Sequence, residues 1–455
     1  MYELLIKNAI IADGYNCGVG DIAVEGGVIA ARGTISAEAA KVIDASGKYL
    51  LPGAVDAHTH FDLQAGAFRT ADDFRSGTRA AVCGGTTTII DHVAFAPPGT
   101  LPHQQIKAYH QLADNNCYCD YAFHGLIQQA DEPSLADMAT LKERGIPSIK
   151  VYMTYEHALD DAALRRVLRQ AAALGMLTVV HAEDDAQLTR LRDKFAAEGK
   201  TEPRWHAASR PAEVEADAIR RLLTIARECG DAPLYIAHLS TKAGLEAIRA
   251  ARAAGQRHIY VESCPQYLLF SEDKYADATE GLKYLLTPPL RQLADNAALW
   301  QALADGSIDV IATDHCPFTL AQKAAGAADY RNAPCGIGGV EERMALMFSY
   351  GVADGLIDVN TLVNSCCRRP AQLFGLYPRK GSLMLGADAD LLLINPAIKQ
   401  TVDSKACHGN NDYNAYQGMA LKCAINTVIK GGVIAYRGGE FRLRECGGHY
   451  LPRSL

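Results

Sequence analysis

In the stretch Leu51-Pro52-Gly53-Ala54-Val55-Asp56-Ala57-His58-Thr59-His60, an apolar run ends in two histidines separated by one residue, and the rest of the chain is organised around it. Residues i and i+2 of a β-strand point to the same side, so His58 and His60 can aim their imidazoles at one point. Two ligands of a single metal ion need that arrangement. The other strand ends of the chain must then supply the remaining ligands.

Composition limits the classes of protein to which the chain can belong. Its 455 residues exceed one ordinary core, which favours a large barrel or two domains. Lys and Arg total 45 against 52 Asp and Glu, and this mildly acidic balance without a basic block gives no reason to expect nucleic-acid binding. The N-terminus lacks the pattern of a signal peptide, and no apolar window reaches the length of a membrane helix. The 13 scattered cysteines are typical of reduced thiols, so we expect a cytoplasmic protein without membrane contact.

Apolar strand-like runs alternate with amphipathic helical patterns from residue 50 onwards. The predicted strands are residues 50–56, 86–91, 119–127, 147–153, 176–180, 234–237, 258–262 and 308–313. Strands that alternate with helices in this way favour a (β/α)8 barrel over a doubly wound sheet. The lack of a Gly-x-Gly-x-x-Gly motif after the first strand also counts against a dinucleotide-binding fold.

Both ends of the chain are predicted to be β-rich and too small to bury a core alone. We therefore expect them to pair into one small β-sandwich beside the barrel. The predicted domains are residues 1–50 and 382–440 for the two parts of the sandwich, 51–381 for the barrel, and 441–455 for a C-terminal tail. The tail is rich in Arg and Gly, and we expect it to need a partner surface to be ordered.

Polar residues stand at later predicted strand ends, which is where barrel active sites lie. They are Lys150, His181, His238 and Asp314. A single histidine at such a position is more often structural, but four histidines with a lysine and an aspartate are hard to explain that way. A lysine within an apolar strand is costly unless it is paired or chemically altered. Imidazole and carboxylate donors suit Zn²⁺ or a similar divalent ion.

These residue types predict a metallohydrolase. Two ions can share a hydroxide that is nucleophilic at neutral pH, because the metals lower the pKa of bound water. A neutral Lys150 can take up CO2 to become a carbamate with two oxygens that bridge the ions. Asp314 can accept a proton from the hydroxide and return it to the leaving nitrogen.

Six segments of the chain carry family-specific motifs. They are Val55–Phe61, Gly84–His92, Glu262–Leu268, Thr287–Arg291, Asp314–Cys316 and Gly386–Leu391. On these segments the chain resembles, essentially from end to end, the dihydropyrimidinase/hydantoinase family of the amidohydrolase superfamily, and within it the bacterial D-phenylhydantoinase branch. The resemblance implies a homotetramer and two divalent metal ions, expected to be zinc, bridged by carbamylated Lys150.

The resemblance also implies the role of each site residue. The implied ligands of one ion are His58, His60, carbamylated Lys150 and Asp314, and those of the other are Lys150, His181 and His238. Tyr155 would polarise the scissile carbonyl and stabilise its oxyanion. The backbones of Thr287 and Cys335 would hydrogen-bond the ring amides of the substrate. The family usually has Asn in place of Cys335 and often Ser in place of Thr287.

The resemblance also separates related substrates. Dihydroorotases carry Arg two residues after the second motif histidine, where this chain has Asp62, so an anionic substrate is disfavoured. An apolar substituent is suggested by Phe61, Leu63, Phe68, Phe95, Tyr152 and Leu159, although packing in the core explains each of them about as well. The predicted partner is thus a small cyclic ureide, and the predicted activity is hydrolysis of 5-aryl hydantoins to N-carbamoyl amino acids by a binuclear cyclic amidase. The alternatives are a dihydropyrimidinase or allantoinase acting on a nucleobase-derived ureide, and a non-catalytic scaffold such as the collapsin response mediator proteins.

Overall fold

The N-terminal segment forms five strands in a computed structural model that describes all of residues 1–455. These strands are β1 (Tyr2–Ala12), β2 (Cys17–Glu25), β3 (Val28–Gly33), β4 (Ala39–Asp44) and β5 (Tyr49–Pro52). In β1, Leu4 and Ile6 face one core, and a bulge after Ile6 brings Ala9 and Ile11 onto the same face. Such a bulge inserts one residue, which restores the alternation on the buried side.

From residue 54 to residue 311 the barrel strands alternate with helices, except that two short paired strands precede the first helix and three helices lie between two of the strands. The elements are β6 (Ala54–Thr59), β7 (Gln64–Ala65), β8 (Phe68–Arg69), α1 (Phe74–Cys83), β9 (Thr86–His92), α2 (Pro102–Ala113), β10 (Asp120–Leu126), α3 (Glu132–Glu143), β11 (Ser148–Tyr152), α4 (Asp161–Leu174), β12 (Leu177–His181), α5 (Asp185–Ala197), α6 (Arg204–Ala208), α7 (Ala212–Glu228), β13 (Leu234–Ile236), α8 (Lys242–Ala253), β14 (Ile259–Ser263), α9 (Pro265–Leu269), α10 (Leu293–Ala304) and β15 (Val310–Ile311). Asp and Thr residues start several of these helices; Asp184, for example, accepts a hydrogen bond from the backbone N–H of Gln187 (2.9 Å) at the start of α5.

The predicted eight-stranded parallel barrel is confirmed. Its strands pair in the order β6-β9-β10-β11-β12-β13-β14-β15. The first and last strands meet through a bridge between Thr59 and His315. The guanidinium of Arg343 also donates to the carbonyls of Val55 (3.1 Å) and Ile311 (2.9 Å), which lie on those two strands. The barrel is therefore closed by side chains as well as by its backbone ladder.

The C-terminal part of the chain adds short helices and the second half of the terminal sheet. These elements are α11 (Leu320–Lys323), α12 (Arg343–Leu346), α13 (Val359–Val363), α14 (Arg369–Leu373), β16 (Leu391–Asn395), β17 (Gln400–Thr401), β18 (Ala420–Leu421), β19 (Ala424–Lys430), β20 (Val433–Arg437) and β21 (Glu440–Phe441). Single 3-10 or π-helical turns cover Glu272–Tyr275, Glu280–Tyr284, Ala324–Gly326, Tyr330–Asn332, Met347–Val352, Asn364–Arg368 and Ser404–Ala406. No helix in the molecule combines the length and the apolar character needed to cross a membrane.

The strands of the two chain ends pair with one another, as predicted. They form one nine-stranded sheet in the order β21-β20-β19-β16-β5-β1-β2-β3 and enclose a core of 16 residues. β4 lies next to β5, and the two pair with successive parts of the same edge of β1. The run 50–56, predicted as one strand, divides at Gly53. Its first half, β5, pairs with β16 of the terminal sheet, and its second half, β6, begins the barrel. A side chain at Gly53 would collide with Thr87, so only glycine fits at this crossing.

The expectation that the C-terminal tail needs a partner surface is wrong. The backbone of Tyr121 in β10 bonds both His449 (3.0 Å) and Leu451 (2.8 Å) of the tail. Leu451 is buried in the barrel core, and Arg453 donates to the Ser148 hydroxyl at the start of β11 (3.0 Å). The tail thus closes the N-terminal end of its own barrel, opposite the end that carries the strand-end histidines.

A buried group of charges joins the barrel to the terminal sheet. The ammonium of Lys380 lies 2.6 Å from Asp390, 2.8 Å from Asp388 and within hydrogen-bonding distance of Asp120 in β10. Lys430 of β19 also contacts Asp120 (2.8 Å). Each buried carboxylate therefore has a cation beside it.

Candidate active site

All nine predicted site residues line one cavity of about 880 Å³ at the C-terminal ends of the barrel strands. They are His58, His60, Lys150, Tyr155, His181, His238, Thr287, Asp314 and Cys335. Three of them have a left-handed backbone that is uncommon for residues other than glycine: Tyr155 (φ 72°), His238 (φ 38°) and Asp314 (φ 52°). Backbone strain of this kind, at residues other than glycine, is typical of functional sites.

His58, His60 and Asp314 form the first of two close groups. The Nε2 atoms of His58 and His60 lie 3.2 and 3.0 Å from Oδ1 of Asp314. His58 lies in β6 and His60 follows its last residue, and both rings face Asp314, as their spacing predicts. Asp314 follows β15, so barrel closure brings it to them.

His181 and His238 form the second group. Nδ1 of His181, the last residue of β12, lies 2.9 Å from Nε2 of His238, which follows β13. Atoms of His58, His238 and Asp314 also lie within 4.8 Å of one another, so the two groups adjoin. The two groups thus place four imidazoles and a carboxylate next to one another in the same cavity.

Lys150 lies in β11 beside both groups. Its side chain is buried, and Nζ has no hydrogen-bond partner. Burial lowers the pKa of this amine to about 8, since the charged form is poorly solvated there. A buried amine without a hydrogen-bond partner is energetically costly in a folded protein, so this position favours a bound or covalently attached partner for Nζ.

The electrostatics of the histidines favour neutral rings. Burial and the neighbouring Lys150 hold the pKa of His58 well below its ordinary value, and burial lowers the pKa of His181 and His238 as well. Neutral imidazole is the form that ligates metal ions.

Two buried carboxylates hydrogen-bond two of these histidines. No role was assigned to either carboxylate from the sequence. Oε1 of Glu262 accepts from Nδ1 of His58 (2.7 Å), and Oε2 of Glu183 accepts from Nε2 of His181 (2.9 Å). Glu183 is in turn paired with Arg210 (2.6 Å). The positions of the two carboxylates in the sequence could have identified them, because each is an acidic residue in or just after an apolar strand. Burying such a residue without a partner is energetically costly.

Two further histidines, also missed, stack beneath the site. The ring of His92 lies 4.3 Å from the ring of His58 and 4.3 Å from that of His124. His124 is fixed by the Ser148 hydroxyl (2.8 Å) and the Ala57 carbonyl (3.0 Å). The stack fills the barrel interior directly below His58.

The same cavity also carries groups suited to a polar ring. The Tyr155 hydroxyl hydrogen-bonds Oγ1 of Thr287. The backbone N–H and C=O groups of Thr287 and Cys335 take no part in backbone hydrogen bonds, so they are free to pair with a ligand. Unpaired backbone groups in a cavity wall are the usual means of orienting a small molecule.

The predicted apolar residues divide into two sets. Those that line the cavity are Leu63, Phe68, Phe95 and Tyr152. Phe61 and Leu159 are instead buried in the core, so their assignment to the pocket is wrong. The ring of Phe61 packs edge-on against Phe74, because the bend after His60 turns it away from the cavity. The Asp62 carboxylate pairs with Arg69 outside the cavity lining.

Comparison with known proteins identifies the family. The model of the amidohydrolase family matches residues 49–435. The chain is 42% identical to D-phenylhydantoinase of Escherichia coli O1:K1, over 99% of this chain and 98% of the relative. Among solved structures it matches the D-hydantoinase (dihydropyrimidinase) of a Thermus species with a TM-score of 0.95 and 36% identity, over 99% of both chains. It also matches the L-hydantoinase (dihydropyrimidinase) of Arthrobacter aurescens with a TM-score of 0.91 and 30% identity, over the full length of both chains.

The chain therefore belongs to the amidohydrolase family. Within this family it resembles hydantoinases and dihydropyrimidinases over nearly all of the residues compared, and the prediction of a cyclic amidohydrolase on a (β/α)8 barrel is confirmed. The fold does not decide stereochemistry, because D- and L-hydantoinases both match it closely.

Proposed function

We propose that the protein is a binuclear metal-dependent cyclic amidase that opens 5-substituted hydantoins at a ring amide to give N-carbamoyl amino acids. The observation that carries the proposal is the convergence of four histidines, Lys150 and Asp314 on one cavity. No competing role explains so many buried, mutually close donors at barrel strand ends.

The donor set fits two divalent ions. His58, His60 and Asp314 would hold one, and His181 and His238 would hold the other. Nitrogen and carboxylate donors in this mixture suit Zn²⁺. Lys150 lies beside both groups with an unpartnered Nζ, so a carbamate on it would give each ion an oxygen and would give the buried amine a role. The ions would supply Lewis acidity, which polarises the carbonyl and makes water acidic at neutral pH.

Asp314 is suited to move the proton in this reaction. Its carboxylate is already 3.0 Å from His60, at the floor of the cavity, and it is within reach of a substrate amide placed there. It would take the proton of the attacking water and return it to the ring nitrogen as the amide bond breaks.

Tyr155 and two backbone groups are suited to hold the ring. The Tyr155 hydroxyl would donate to the carbonyl oxygen as negative charge develops on it. The free backbone groups of Thr287 and Cys335 would pair with the ring amides, and these contacts do not depend on the side chain at either position.

A bulky apolar substituent is the best match for the cavity. Leu63, Phe68 and Phe95 line it, whereas Asp62, which replaces the dihydroorotase arginine, is bound to Arg69. The name of the E. coli relative points the same way. A dihydropyrimidinase is the second candidate, because the matching hydantoinases of the Thermus species and of Arthrobacter aurescens are also named dihydropyrimidinases. An allantoinase would use the same residues, whereas a scaffold role would leave six ligand positions unexplained.

The test compares hydrolysis of 5-phenylhydantoin, dihydrouracil, allantoin and dihydroorotate, with metal content measured on the same preparation. We expect the phenyl compound to be preferred, with two ions bound per chain. A preference for dihydrouracil would favour the second candidate. Absence of both turnover and metal would contradict the enzyme and favour the scaffold.

We also infer that the protein works as a homotetramer in the cytoplasm. The family resemblance supports the assembly. The cysteines support the compartment, because all 13 are free thiols. Light scattering of the purified protein measures the assembly directly.

A further inference from the structure

One carboxylate oxygen contacts both groups of the site. Oε1 of Glu262 accepts from Nδ1 of His58 (2.7 Å) and from the backbone N–H of His238 (3.0 Å). Oε2 accepts from the hydroxyl of Tyr235 (2.7 Å). The side chain of Glu262 is completely buried, so these contacts are not shared with solvent.

The first contact fixes the form of His58. A neutral imidazole has one N–H, and the bond to Glu262 places that hydrogen on Nδ1. The Nε2 lone pair is then free and faces Asp314, 3.2 Å away. Carboxylates behind metal-binding histidines set tautomer and ring orientation in this way.

The second contact fixes the backbone of His238. This residue has φ 38°, a conformation that non-glycine residues hold only when their surroundings impose it. Its N–H would be left unpaired in a buried place without Glu262. The position of its ring, and hence of Nε2 beside His181, depends on that backbone.

We propose that Glu262 is a positioning residue that couples the two ion subsites, because a single oxygen orients a ligand of each. The inference rests on the proposed metal centre. Glu262 does not reach the cavity itself, so its effect passes through His58 and His238 alone.

Glu183 provides the contrast that makes the inference testable. It also is fully buried and also holds a site histidine, but among the predicted ligands it contacts only His181. Its other partner is Arg210. Loss of Glu183 should therefore disturb one subsite, whereas loss of Glu262 should disturb both.

The experiment titrates Co²⁺ into metal-free protein and follows the visible absorption of each bound ion, with Glu262→Leu, Glu262→Gln and Glu183→Leu beside the unmodified chain. We expect Glu262→Leu to weaken both binding steps by about 10–100-fold, the effect of losing such a partner elsewhere. We expect Glu183→Leu to weaken one step only. Glu262→Gln keeps an acceptor of the same shape and should recover most of the affinity.

The matched control is Glu215→Leu. Glu215 is equally buried and accepts from Ser240 (2.8 Å) and Thr241, but it touches no predicted ligand. We expect the Glu215→Leu variant to be less stable but to bind both Co²⁺ ions with unchanged affinity. Weakening of both steps by Glu215→Leu, or of only one step by Glu262→Leu, would overturn the coupling. Normal binding by Glu262→Leu would overturn the positioning role, and if the unmodified chain bound no Co²⁺ the proposed metal centre itself would fail.

Discussion

Oδ1 of Asp314 lies 3.0 Å from Nε2 of His60, so the end of the last barrel strand meets the end of the first at the floor of the cavity. The two residues are far apart in the chain, and barrel closure alone unites them. Most of the chemistry proposed for the site depends on this contact.

Asp314→Asn should retain metal and lose turnover. The amide keeps an oxygen for the ion but cannot carry the proton, and general acid–base groups contribute about 10²–10⁴-fold to a rate. Turnover of 5-phenylhydantoin and metal content on one preparation measure both effects. Asp62→Asn is the control, since Asp62 is absent from the cavity lining and should leave turnover nearly unchanged. A normal rate for Asp314→Asn would remove the residue from the proposed role.

Lys150→Met should lose bound metal, because methionine cannot form a carbamate. The control is Lys323→Met, which removes another buried lysine, one held by the carbonyls of Leu285 (2.8 Å) and Pro334 (2.9 Å). We expect the Lys323 variant to be less stable but to keep its metal. Elemental analysis after gel filtration decides between them, and equal metal in both variants would contradict a bridging Lys150.

Tyr155→Phe should lower kcat more than it raises KM. The hydroxyl is expected to strengthen its hydrogen bond only as charge develops, and the loss of one such donor costs about 10²–10³-fold in kcat. Steady-state kinetics separate the two constants. The Thr287→Ser variant keeps the backbone contact and a hydroxyl partner for Tyr155, so it should remain active. A pure KM effect in Tyr155→Phe would assign the tyrosine to substrate binding alone.

Lys380→Met should strongly destabilise the fold. It leaves Asp120, Asp388 and Asp390 close together without their shared cation, and breaking a buried ion pair costs about 3–5 kcal/mol. Arg379→Met is the matched control, because Arg379 makes an exposed pair with Asp388 that is worth about 0–1 kcal/mol. Urea unfolding measures both free energies. Similar losses for the two variants would show that burial of Lys380 matters little.

Acid should weaken the same junction. Burial raises the pKa of Asp120, but the neighbouring Lys380 and Lys430 lower it more, to about 2, which is below its ordinary value. A carboxyl whose pKa is lower in the folded state stabilises that state above its unfolded pKa of about 4 and loses this contribution as the pH falls. We therefore expect the free energy of unfolding to fall between about pH 4 and pH 2. Lys380→Met should lessen this dependence, and an unchanged slope would contradict the assignment.

The predictable part of the site came from local spacing. Residues i and i+2 of a strand share a side, so His58 and His60 could be paired from sequence alone. The ends of parallel strands meet at one edge of a barrel, so His181, His238 and Asp314 could be added once the alternation of strands and helices was recognised. Lys150 of β11 could be singled out because it is a charged residue within an apolar strand, where burial is energetically costly.

The parts that could not be predicted depend on burial and on long-range pairing. Gly53 divides an apparently continuous apolar run, since its two halves belong to different sheets. Phe61 was expected in the pocket, but the bend after His60 directs it into the core. The Arg- and Gly-rich tail looked unsupported, yet it packs on β10. Each outcome depends on which surfaces remain to be covered when the chain is folded, and no local pattern records that.

The barrel and the residues at its strand ends were readable from the chain, because strand periodicity and strand-end position are local properties. The motifs of the chain carried its resemblance to the family. Which carboxylate hydrogen-bonds which histidine depends instead on the tertiary structure. Glu262 lies 204 residues from His58 in the chain, and nothing in either segment specifies the other. Their contact exists because barrel closure buries both groups together, and a buried carboxylate is stable only where donors satisfy it.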